Sequence, residues 1–104
     1  MKRVKRRYLA LQIESEYSPT EREFIDTVWV AVTKLYGEVG ASITGLALIN
    51  FDAEHKVAVL RVSLATLNMT RASLAAITKI ADKETSVHVL AVSGTLKALY
   101  ASAK

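Results

Sequence analysis

The chain predicts an α+β fold of the ferredoxin-like kind, a βαββαβ sandwich whose four-stranded antiparallel sheet carries two helices on one face. Three observations predict it. Residues 7–14 alternate apolar and polar positions, as a half-buried strand does. A long apolar stripe at helical spacing follows a Ser-Pro-Thr-Glu start. Asp52-Ala53-Glu54-His55 is a polar turn of hairpin length between two further strand-like runs.

In the first strand Leu9, Leu11 and Ile13 point one way, and Tyr8, Ala10 and Gln12 the other. Ser18-Pro19-Thr20-Glu21 then reads as a helix start. Ser18 caps, Pro19 suits the first helical position, and Glu21 supplies the carboxylate of a capping box. Phe24, Ile25, Val28, Trp29, Val32, Leu35 and Tyr36 form the inner stripe, with core packing expected for Trp29 and Tyr36. Gly37 is expected to end the helix in a left-handed conformation. Strands are predicted over 43–51 and 56–63, and a second helix over 66–81, with Leu67, Leu74, Ile77 and Ile80 inward. The last strand is Val87 to Ser93, and the tail 94–104 adds a short helical turn.

At 104 residues, half of them apolar, the chain has material for one core and not for two. The absence of cysteine excludes disulfides and thiolate metal sites. No run approaches the roughly 20 apolar residues of a membrane span, and no membrane partner is expected. The apolar stretch 8–13 is too short for an export core, so a soluble, cytoplasmic protein is expected.

Charge is distributed unevenly. Lys2, Arg3, Lys5, Arg6 and Arg7 place five cations in the first seven residues, while the rest of the chain holds nine basic residues against ten acidic ones. The whole formal excess of +4 thus belongs to an arm over 1–7 that leads into a near-neutral domain over 8–93. Such an arm predicts docking on a polyanion, nucleic acid being the leading candidate. Tyr8 lies beside the arm on the sheet face that the two helices leave open, where an aromatic ring stacks on a base or packs on a protein partner. Val57, Val59 and Arg61 are the candidate open-face positions of the third strand. An aliphatic face without stacking aromatics predicts a protein–protein interface there.

No self-contained active site is legible. His55 and His88 stand at no metal-ligand spacing, so no metal site is expected. Glu14 and Glu16 beside a basic arm read as charge balance, and no serine sits in a nucleophile elbow or follows a phosphate loop. The sequon at Asn68-Met69-Thr70 falls inside the second helix and is incidental in a cytoplasmic protein.

The cations before the first strand, the segment Leu35-Tyr36-Gly37-Glu38-Val39-Gly40-Ala41 and the run Val89-Leu90-Ala91-Val92-Ser93-Gly94-Thr95-Leu96-Lys97 together resemble archaeal ribonuclease P protein component 2. The likeness spans nearly the whole chain, and Val-Ser-Gly-Thr-Leu-Lys is its most specific part. The chain departs from the family at His88 and Ala91, where basic residues are usual. The resemblance implies an RNA-recognition-like fold and a non-catalytic subunit that supports the catalytic RNA in removing the 5′ leader from precursor tRNA. It implies that the chain binds no cofactor of its own, magnesium being used by the RNA. The implied partners are the catalytic RNA, ribonuclease P protein component 3 and, indirectly, precursor tRNA, with a homodimer inside a heterotetramer. Lys2, Arg3, Lys5, Arg6, Arg7 and Tyr8 are then joined as RNA contacts by Ser93, Gly94, Thr95 and Lys97, although Gly94 turning and Thr95 capping a helix accounts for that run equally well. Two other readings remain: a ferredoxin-like small-ligand regulatory module, which needs no basic arm, and a DNA-binding architectural protein.

Overall fold

The computed structural model describes residues 5–102. The first strand, β1 (Arg6–Glu14), leads to a long helix, α1 (Glu21–Ser42), and then to the hairpin β2 (Ala47–Asp52) and β3 (Val57–Ser63). A single 3₁₀ turn, Leu64–Thr66, precedes α2 (Leu67–Ala75). A two-residue ribbon follows, β4 (Lys79–Ile80) with β5 (Lys83–Glu84), and the chain closes with β6 (Ser86–Ser93) and α3 (Leu96–Ser102). The four long strands lie in the order β2-β3-β1-β6, all antiparallel. The first and third strands are therefore central, as a split βαβ arrangement requires.

Alternation along β1 decides the two layers. Leu9, Leu11 and Ile13 are 0–1% exposed and pack with Phe24, Val28 and Val32 of α1, Leu60 and Val62 of β3, and Leu74 of α2. Phe24 also meets Phe51 with ring centroids 5.7 Å apart. The opposite face is not open. Ala10 and Val59 are buried beneath Leu99 of α3, with Tyr8, Ile49, Ala91 and Leu96 packed around them. The expected tail is thus a third layer, and its apolar Leu96 and Leu99 are the side chains that close the sheet's outer face.

The helix starts two residues later than the sequence reading placed it. Thr20, not Ser18, caps α1: its Oγ1 accepts from Glu23 N at 3.1 Å, and Glu23 Oε1 accepts from Thr20 N at 2.9 Å. Ser18 instead donates to Ala53 O across the sheet end. Gly37 does adopt a left-handed φ of +77°, but helical backbone resumes and runs on to Ser42. Gly40 allows this second piece to fold back, since a Cβ there would stand 2.8 Å from Tyr36 Cβ. Tyr36 ends up 39% exposed and Leu35 50%, so the stripe's last members leave the core. Ile43, expected in a strand, caps the helix C-terminus and is largely exposed.

The second helix ends at Ala75, six residues short of its predicted end. Ile77 and Ile80 are both buried, as predicted, but from the turn and the ribbon rather than from a helix. Ala81 and Asp82 take positive φ values of 53° and 64°, the handedness a two-residue hairpin turn demands.

Two substitutions test these layers. Thr20→Ala is expected to lower unfolding free energy by about 1 kcal/mol, with Ser18→Ala costing less, in denaturant titrations. Leu99→Ala is expected to cost about 2–5 kcal/mol, because a fully buried leucine anchors the outer layer.

Candidate nucleic-acid interface

Antiparallel register gathers the basic residues. Tyr8 stands directly opposite Arg61 on one side and Ser93 on the other, and Arg61 is opposite Ala47. Directly paired residues share a face, so Ala47, Arg61, Tyr8 and Ser93 form one row across the outer side of the sheet. Arg6 lies opposite Ser63 and shares the parity of Tyr8, so it belongs to the same side, one diagonal step from Arg61. Arg7 has the opposite parity and pairs with Val62.

Of the arm cations, Lys2 and Arg3 lie outside the described residues. Lys5 and Arg6 are exposed, and the backbone there is held, since Lys5 O accepts from Leu64 N at 2.8 Å. Arg6 and Arg7 are already part of β1. Arg7 is half-buried, and its Nη1 donates to Arg6 O at 2.9 Å. A Cβ on Gly94 would come within 3.4 Å of that same Nη1, so the glycine leaves room for the guanidinium. Thr95 caps α3, its Oγ1 accepting from Ala98 N at 3.2 Å, while Ser93 Oγ accepts from Thr95 N at 3.4 Å. Lys97 is exposed on the first turn of α3.

The predicted aliphatic surface is changed most. Val59 is 3% exposed, so it faces α3 rather than solvent, which corrects the expectation of an open face there. Val57 and Arg61 remain half-exposed. Arg61 Nε is buried with no hydrogen-bond partner, and the side chain makes no ion pair among the described residues. The spacing Leu96-x-x-Leu99 after the Thr95 cap marks an apolar face on α3 in the sequence, without saying which strand it covers.

Opposite charge collects at the other end of β1. Glu14 Oε2 lies 2.9 Å from His88 Nε2, a pair that the β1–β6 register creates across 74 positions of chain. Asp52 Oδ2 lies 2.7 Å from His55 Nδ1 within the β2–β3 turn. A hollow beside them is lined by Glu14, Glu16, Asp82 and Glu84 with Lys83. Among the described residues no group of three or more His, Asp or Glu side chains could hold a metal ion. The outer face can therefore grip an anion at the basic end and repels one at the other.

The hydrogen bond that His55 donates to Asp52, then the carboxylate's charge, raises the His55 pKa, and the same contact lowers that of Asp52. The raised imidazole value stabilises the fold below about pH 6.5, and this contribution is lost as pH rises through the folded-state value. The depressed carboxylate value acts above about pH 3.9 and is lost as pH falls through its folded-state value. NMR titration is expected to find His55 above 6.5 and to find it returned toward 6.5 in Asp52→Asn.

Among the described residues, a split βαβ sheet bears at one end cations that no carboxylate pairs, an arrangement of the class suited to a polyanionic partner. The comparisons narrow the class. The Rpp14/Pop5 ribonuclease P family profile matches residues 7–104. Ribonuclease P protein component 2 of Methanosarcina mazei is 36% identical over 91% of this chain and 80% of its own length. The component of the same name from Pyrococcus horikoshii is 31% identical over 93% of this chain and 81% of its own. A chain in the cryo-EM structure of yeast ribonuclease MRP shares the fold, with a TM-score of 0.74 and 17% identity over 92% of this chain and 79% of its own. The chain belongs to the Rpp14/Pop5 family and is a protein subunit of ribonuclease P.

Proposed function

We propose that this chain binds the catalytic RNA of ribonuclease P electrostatically and supports it in removing the 5′ leader from precursor tRNA. The observation that carries this reading is the set Lys5, Arg6, Arg7, Arg61 and Lys97, none of which pairs with a carboxylate among the described residues. Unpaired cations on one end of a sheet neutralise phosphates and hold a polyanion in register without reading its sequence. The sequence adds Lys2 and Arg3, which lie outside the described residues, to this proposed set of contacts. Tyr8, Ser93 and Gly94 border it, and Thr95 serves it by fixing the start of α3 beside Lys97.

Magnesium in this reading belongs to the RNA. A folded RNA catalyst concentrates phosphate charge, and protein cations reduce the magnesium needed to hold it compact. Protein component 3 is the proposed protein partner, within an assembly built on a homodimer of this chain. Apolar surface for such contacts remains at Val57 and at the exposed end of α1, where Leu35, Val39 and Ile43 are half or more exposed.

Reconstituted precursor-tRNA cleavage at limiting magnesium, with and without this chain, tests the reading. Alanine at Lys2, Arg3, Lys5, Arg6 and Arg7 is expected to reduce stimulation about tenfold or more, with recovery at higher magnesium. Stimulation indifferent to the arm moves the RNA contact to the folded body. No stimulation at any magnesium concentration rejects the reading.

A further inference from the structure

Arg6 and Arg61 are like charges placed on neighbouring strands of one face, a diagonal step apart, with Tyr8 opposite Arg61 and two residues along β1 from Arg6. Like charges facing each other across a sheet oppose its pairing unless something of opposite sign stands between them. No carboxylate does so among the described residues, because every ion pair lies elsewhere: Arg22 with Asp26 on α1, and the two histidine pairs at the far end of β1.

Arg61 is also held in an unusual way. Its Nε is buried and unpartnered, and it is the one side-chain atom in that condition among the described residues. The terminal nitrogens make no hydrogen bond and are not buried, so the stem is sealed while the fork opens outward. A cation that is partly desolvated and uncompensated gains more from an incoming anion than a fully hydrated one does. The planar fork suits two oxygens of one phosphate.

We propose that Arg61 and Arg6 form a phosphate clamp on the outer face of the sheet, taking one phosphodiester group of an RNA strand that crosses the row at Tyr8 and Ser93. This assigns Arg61 to the RNA and not to a protein interface, and it rests on the RNA-binding reading above. Position explains why the clamp is confined to this end. Farther along the same face Leu99 covers Val59, and beyond that Glu14 turns the potential negative.

The test is filter binding of a transcribed ribonuclease P RNA across a monovalent-salt series, with all variants checked for folding by thermal melting. Arg61→Gln is expected to weaken binding about tenfold and to make the slope of log K against log salt shallower by about 0.7–0.9, the value of one phosphate contact. Arg61→Lys is expected to keep the slope. Arg6→Gln, at an exposed site that leaves the fold intact, is expected to show the same loss, and the double variant less than the product of the two. Arg22→Gln, whose cation already pairs with Asp26, is expected to change neither quantity. If the parent chain binds with a steep salt slope and Arg61→Gln matches it, the clamp is overturned while the RNA reading stands. Loss of component 3 pairing in Arg61→Gln with the RNA slope unchanged likewise overturns it. A parent chain that fails to bind the RNA overturns both.

Discussion

Everything in this molecule depends on the register of β1. It is flanked by β3 on one side and β6 on the other, and both of its faces are covered. Leu9, Leu11 and Ile13 fill the layer under α1 and α2, while Ala10 lies under α3. A shift of one residue would turn three large aliphatic side chains toward a short helix and leave alanine facing the main core. That cost holds the register, and the register in turn places Tyr8 beside Arg61 and Glu14 within reach of His88.

The same strand separates charge. It begins Arg6-Arg7 and ends at Glu14, about 27 Å away for nine extended residues. Around its first end the cations are unpaired, and around its last end acids meet histidines or line a hollow. A body of nearly balanced charge thus presents unpaired cations at one end and acids at the other. Such an arrangement orients a bound polyanion as well as attracting it.

The motif Leu-Tyr-Gly-Glu-Val-Gly has a mechanical explanation in this fold. Gly37 takes a backbone conformation that other residues adopt only under strain, and Gly40 admits Tyr36 at a distance no side chain would allow. Together they redirect the end of α1, so that Ala41 is buried in the core while Val39 and Ile43 are exposed beside Leu35. That exposed apolar surface is the one the proposed protein contacts draw on.

Period-two alternation over 7–14, the stripe Phe24-Val28-Val32 and the turn at Asp52–His55 determined the fold class from sequence alone, because local patterning and burial agree there. Five cations in seven residues are equally plain in the sequence, and they motivate the proposed polyanion partner. The errors fall where two local signals compete. Ser18 and Thr20 are both capping residues with a glutamate three positions on, and Ser18 is engaged by Ala53 O while Thr20 makes the cap. Ile77 and Ile80 fit a helical period and a hairpin equally, and the turn at Ala81-Asp82 decides between them. What tertiary structure alone decided is the outer face. Val59 is buried and Arg61 left half-open because α3 returns across the sheet, and no pattern within β3 encodes the element that will cover it. Sequence determines which side chains need burial; the packing of distant segments determines which of them receive it.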